Sequence, residues 1–186
     1  SWFTTLGLKS DGTVYFCGQT APGALDVLTW TDIQDISGGR DHIVGMKTDG
    51  SMVSCGINYE GQGNVTEWTD IASFDCGSYH TVGVKNDGTC VATGTNANGE
   101  CNLDDWTDIV AVSAGTYYTV GLKSDGTVVW AGLNTSEQCN VEEWTDIIAI
   151  VAGHYHTVGL KADGTVVATG YNNATQCDLD AWRCFE

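Results

Sequence analysis

Apolar and polar residues alternate in short runs along this chain, each closed by glycine or by an acidic residue and glycine. In the stretch from Trp144 to Ala181, the run Ile147 to Ala152 is closed by Gly153. The run His156 to Lys161 is followed by Asp163-Gly164, and Thr165 to Thr169 by Gly170. A fourth stretch, around Gln176 to Leu179, leads into the next tryptophan. Alternation of period two between turn residues predicts β-strands, and no window carries the 3.6-residue period of a helix. The four runs are read as four strands. Asp163-Gly164 is read as a hairpin turn, because both residue types tolerate positive φ.

The same pattern recurs at a fixed step. Trp30, Trp68, Trp106, Trp144 and Trp182 are each 38 residues apart, as are Lys9, Lys47, Lys85, Lys123 and Lys161. The repeats are 1–29, 30–67, 68–105, 106–143 and 144–181, with a closing strand at 182–186. Four short antiparallel strands per unit make one propeller blade, so the fold expected is an all-β, five-bladed propeller in a single domain. Ser1 aligns with Gly77 and Trp182–Glu186 with Trp144–Ile148, so the C-terminal segment is expected to supply the first strand of the N-terminal blade and close the ring. The alternative is a part of a larger ring. Gly7, Gly45, Gly83, Gly121 and Gly159 fall in mid-strand, where close approach of another backbone is the expected reason. Each lysine at the end of the second strand is expected to pair across strands with Asp32, Asp70, Asp108 or Asp146.

Charge narrows the partners. Seven basic against 24 acidic residues leave a formal charge of −17, which repels phosphate backbones and anionic membrane surfaces. No apolar run reaches the roughly 20 residues of a membrane helix, and no charged-then-apolar leader is read at Ser1. A monomer without cofactor is expected.

The run Ala152 to Val167, Ala-Gly-x-Tyr-His-Thr-Val-Gly-Leu-Lys-x-Asp-Gly-Thr-Val-Val, and its four counterparts resemble the regulator of chromosome condensation repeat family. Gly61-Gln62 and Gly99-Glu100 in the following loop match it too. The short repeat is similar to that of the secreted β-lactamase-inhibitor propellers. The resemblance implies a propeller fold, and the related inhibitors imply that the turn after each Ala-Gly meets the target. Family members usually have seven blades, where this chain has five copies.

Comparison of the copies sorts the loops onto two faces. The Lys-x-Asp-Gly hairpins vary little; the turn after each Ala-Gly and the loop after the third strand vary most. The varied face collects Trp2, Phe3, Arg40, Asp41, Tyr59, Tyr79, Tyr117, Tyr118, His154, Tyr155 and Tyr171, which are the candidate partner-binding residues. Aromatic residues and arginine dominate binding hot spots. His42, His80 and His156 share one repeat position and are read as packed between blades in preference to ligands, and zinc is not expected. Asn58, Asn96, Asn134 and Asn172 recur and are read as turn formers.

No copy carries both cysteine positions needed for a bridge within a blade, and Cys76 and Cys90 lie about 9.5 Å apart by strand spacing, so free thiols are expected. Free thiols lean towards a reducing, cytoplasmic compartment. The sequons at Asn64, Asn134 and Asn173 point weakly to secretion. No nucleophile–base pair, phosphate loop or carboxylate pair stands out, so an enzyme is not expected. A protein-binding module is the leading reading, and a multivalent lectin with one sugar pocket per blade gap the second.

Overall fold

A computed structural model describes residues 4–18 and 22–179. The first copy contributes β1 (Thr4–Leu8), β2 (Val14–Gly18) and a 3-10 segment at Ala24–Thr29. The second contributes β3 (Ile33–Gly38), β4 (His42–Lys47) and β5 (Met52–Gly56), and the third β6 (Ile71–Cys76), β7 (His80–Lys85) and β8 (Cys90–Gly94). The fourth holds β9 (Ile109–Ala114), β10 (Tyr118–Lys123) and β11 (Val128–Gly132), and the fifth β12 (Ile147–Ala152), β13 (His156–Lys161) and β14 (Val166–Gly170). Each copy forms its own antiparallel sheet in chain order, two-stranded in the first and three-stranded in the others. The ends of β3, β6, β9 and β12 surround one pocket, so the first strands of these four blades face a shared axis. This is a five-bladed β-propeller. Among the described residues no helix is long and apolar enough to cross a membrane.

The second to fifth blades therefore have three strands each where four were expected. The fourth segment is held as a turn by asparagine. Asn58 Oδ1 accepts from Gly63 N at 2.7 Å while its Nδ2 donates to Asn64 Oδ1 at 2.9 Å. Asn96, Asn134 and Asn172 repeat this bracket. A backbone N–H taken by a side chain is lost to a strand ladder. The bracket encloses a residue of positive φ: Gly61, Gly99, Glu137 and Thr175.

Three other expectations are corrected by the packing. The Asp-Gly hairpins use positive φ at glycine alone, as at Gly164 with φ 83°. The aspartate instead accepts from the threonine or serine two residues on, as Asp163 does from Thr165 N at 2.9 Å and Oγ1 at 2.6 Å. The mid-strand glycines of the second to fifth copies make room for tryptophan rather than backbone: a Cβ on Gly121 would lie 2.5 Å from Cζ3 of Trp106, and Gly45, Gly83 and Gly159 face Trp30, Trp68 and Trp144 likewise. The lysines do not meet the expected aspartates. Register sets Lys47 opposite Ile33 and Lys85 opposite Ile71, and their charge acts on the hairpin residues Asp49 and Asp87.

Every complete blade skips one residue of its inner strand, because Ile33 pairs with Lys47 but Asp35 with Met46. The same bulge falls at Ala72, Val110 and Ile148, and leaves Val110 and Ile148 about half exposed. A bulged residue is unpaired and turned out of the sheet. The blades pack in chain order, β6 on β9 and β9 on β12. At the two ends of the array Thr5, Tyr15 and Val151 are exposed. The expected closing strand at 182–186 lies outside the described residues, as do Trp2 and Phe3.

Candidate functional site

Three successive positions after each Ala-Gly turn decide what the upper face offers. The third is structural. His42 Nε2 lies 2.9 Å from Thr81 Oγ1 in the next blade, and that hydroxyl donates to the Gln62 carbonyl at 2.7 Å. With its proton committed, Thr81 accepts from His42, which places the imidazole proton on Nε2. His80, Thr119 and the Glu100 carbonyl repeat the relay at 3.0 and 2.8 Å. Nδ1 of both rings is buried without a partner. Burial pushes both histidines down to about 4, because an imidazolium there would be desolvated and unpaired. The reading of His42 and His80 as packed between blades holds, whereas His156 is half-buried.

Tyr118 occupies the same position in blade four and is 0% exposed. Its hydroxyl donates to the His156 carbonyl at 2.6 Å. Tyr118 is thus removed from the expected partner-binding set: one pleat separates it from Tyr117, and successive residues of a strand point to opposite faces.

Glu100 is also buried in a junction, at 0% exposure. Its Oε2 accepts from Asn98 N at 2.8 Å, and its Oε1 is without a partner. The equivalent residues are Gln62, Gln138 and Gln176, whose Oε1 atoms accept the same backbone bond. A buried group lacking a partner costs about 1–3 kcal/mol, more if charged. Glu100→Gln is therefore expected to raise the free energy of unfolding in urea by about 1–3 kcal/mol; a fall would show that the carboxylate has a structural role glutamine cannot fill.

The first two positions carry the varied chemistry. Arg40, Ser78, Thr116 and His154 are one repeat position in four blades, and all four line a pocket of about 270 Å³ on the axis. Gly39, Gly77, Gly115 and Gly153 form the pocket's backbone walls. They are glycines because the ring at the third position occupies their Cβ space: a Cβ on Gly77 would lie 2.5 Å from His80 Cε1 and 2.5 Å from the Gly115 carbonyl. Ser78 donates to Thr116 Oγ1 at 3.3 Å, and Thr116 Oγ1 lies 2.7 Å from His154 Nδ1. Partial burial and then the charge of Arg40 hold His154 below its usual range, so Arg40 acts across the mouth.

The next position holds Asp41, Tyr79, Tyr117 and Tyr155. The Arg40 guanidinium sits 5.3 Å from the Tyr79 ring centre and bonds its hydroxyl. Tyr79 stacks on Tyr117 with centroids 5.3 Å apart and planes 16° apart. Asp41 pairs with Arg40 at 3.4 Å. Tyr155 packs on His154 at 5.1 Å. The structure thus brings Arg40, Asp41, Tyr79 and Tyr117 into one arc across three blades, with His154 and Tyr155 in the fifth. Tyr59, 87% exposed, and Tyr171 stand apart on the outer loops after the third strands. Ser78 and Thr116 were missed from sequence. Their signal was their place in a repeat position that holds four different residues.

Among the described residues no group of three or more His, Cys, Asp and Glu could hold a metal ion. Cys17, Cys55, Cys76, Cys90, Cys101, Cys139 and Cys177 are free. Burial pushes the thiols of Cys76, Cys101 and Cys139 up to about 12, so they are thiols rather than nucleophilic thiolates at neutral pH.

Residues 33–62, 71–100 and 147–176 match the regulator of chromosome condensation (RCC1) repeat. No curated protein sequence matches the chain. Among solved structures it is similar to Prp20p of Saccharomyces cerevisiae, at 15% identity and a TM-score of 0.77 over 97% of this chain and 59% of that one. It is similar to the ectodomain of the Physcomitrella patens receptor kinase CR4, at 19% identity and 0.78 over 95% and 52%. Human WBSCR16 follows at 17% identity and 0.72 over 91% and 60%. At these identities the likeness shows the fold. The chain spans between about half and three-fifths of each of these longer chains.

Proposed function

We propose that this chain, which carries RCC1 repeats, is a non-enzymatic module that binds a protein through the varied face of its propeller. One observation carries the reading: Arg40, Tyr79 and Tyr117 form a continuous stack across three blades at positions where the copies differ. Tyrosine and arginine supply large contact areas with few rotamers to freeze, which is why they dominate hot spots. A ring of repeated sugar pockets would carry the same polar residues in most copies, whereas the lining position changes from arginine to serine, threonine and histidine. Protein binding by propellers of this fold adds support: Prp20p is described with its binding to Gsp1p and histones, and yeast RCC1 (Prp20) with Kap60 bound.

The test contrasts the two faces. Tyr117→Ala should weaken capture of the partner by about 2 kcal/mol if it is a hot spot. Lys123→Ala, on the hairpin side, should leave capture unchanged. A partner that is lost with the lysine and kept without the tyrosine would reverse the assignment.

A further inference from the structure

Resting on that reading, we propose that the axial pocket beside Arg40 takes an acidic side chain of the partner, whose carboxylate meets the Arg40 guanidinium. The first ground is charge. The molecule carries 24 acidic residues and a formal charge of −17, yet among the described residues no Asp or Glu lines this pocket. Its one lysine or arginine among the described residues is Arg40. The remaining cations among the described residues, Lys9, Lys47, Lys85, Lys123 and Lys161, all sit at the hairpins of the other face. Arg40, with Asp41 beside it outside the lining, is thus the one cationic group at this mouth among the described residues, and it favours an anion at one place.

The second ground is geometry. At about 270 Å³ the pocket falls below the roughly 300–1,000 Å³ of small-molecule sites and suits a single inserted side chain. The guanidinium is held in place by Tyr79, itself stacked on Tyr117, and by Asp41 at 3.4 Å. A guanidinium presents five donors in a fixed fork that matches carboxylate geometry, and ordering it in advance reduces the entropy lost on binding. Along the opposite wall, Ser78, Thr116 and His154 form a hydrogen-bonded chain that supplies further polar contacts. The net negative field opposes an anion from a distance, but at physiological salt it is screened beyond about 8 Å.

The test uses the whole chain, labelled with 15N, at physiological salt. The probes are the acetylated, amidated peptide Gly-Glu-Gly and its Gly-Gln-Gly counterpart, each titrated to about ten times a millimolar dissociation constant. The Glu peptide should shift the amides of Gly39, Gly77, Gly115 and Gly153 saturably, and bind at least about tenfold more tightly than the Gln peptide. Arg40→Ala should abolish the shifts while leaving the melting temperature unchanged, since the Arg40 side chain is 44% exposed. Equal binding of the two peptides, persistence of the shifts in Arg40→Ala, or no shift with either peptide would overturn the proposal. None of these outcomes bears on the aromatic rim, which stands or falls with capture by Tyr117→Ala.

Discussion

Lowering the pH from 6.5 to 4 should cost the folded protein on the order of 3 kcal/mol for each of His42 and His80. Both rings lie in blade junctions with Nε2 bonded and Nδ1 bare. The folded protein keeps them neutral down to about pH 4, whereas the unfolded chain protonates them near 6.5. Between those values the unfolded state binds more protons, so stability falls as pH falls. A domain stable by about 5–15 kcal/mol loses a large part of its margin to two such groups. The hairpin carboxylates Asp11, Asp49, Asp87 and Asp125 are held below their ordinary value of 3.8 by bonds from the following Thr or Ser, so their contribution is lost only in more acid solution.

Blade four supplies the control, because it uses Tyr118 where its neighbours use histidine. Urea midpoints of wild type and His42→Tyr/His80→Tyr across this range separate the two causes. The wild type should weaken steadily below pH 6.5, and the double variant should hold to near pH 4. Parallel curves for the two proteins would assign the acid sensitivity to groups other than these histidines.

Removing Trp106 should destabilise the protein by about 3–5 kcal/mol, the cost of truncating a large buried aromatic. The indole is buried in a cluster with Val82, Val84, Leu103 and Ile109, and it lies over Gly121 of the same blade. That glycine provides an independent check. A methyl group there would meet Cζ3 and Cε3 of Trp106 at 2.5 and 2.9 Å and Val129 Cγ2 at 3.2 Å. Gly121→Ala should therefore cost about 1–3 kcal/mol through overpacking. In Trp106→Leu the space is released, so adding Gly121→Ala should cost much less than it does alone. Such coupling is expected of residues in contact. Strict additivity of the two changes, measured by chemical denaturation, would show that the glycine answers to something other than the tryptophan.

The first three strands of a complete blade, the number of copies and the division into an invariant and a varied face were legible in the amino-acid sequence. The reason is that all three rest on local signals. Alternation between Ile147 and Lys161, Asp-Gly at each hairpin and the spacing of the tryptophans act within one 38-residue unit, and each copy repeats the test. Packing between units is not local. Whether Asn58 ends a loop or brackets a fourth strand depended on Gly63 N donating to its side chain in place of a neighbouring strand. Gly121 reads equally well as a close backbone contact until Trp106 is seen against it. Tyr117 and Tyr118 are the same residue in adjacent places, yet one faces the mouth and the other is sealed in a junction, because the pleat and the next blade give them opposite surroundings. The stack of Arg40, Tyr79 and Tyr117 joins residues 38 or 39 apart in the chain. No periodicity within a repeat carries that contact, since it is set by the angle at which one blade follows another around the axis.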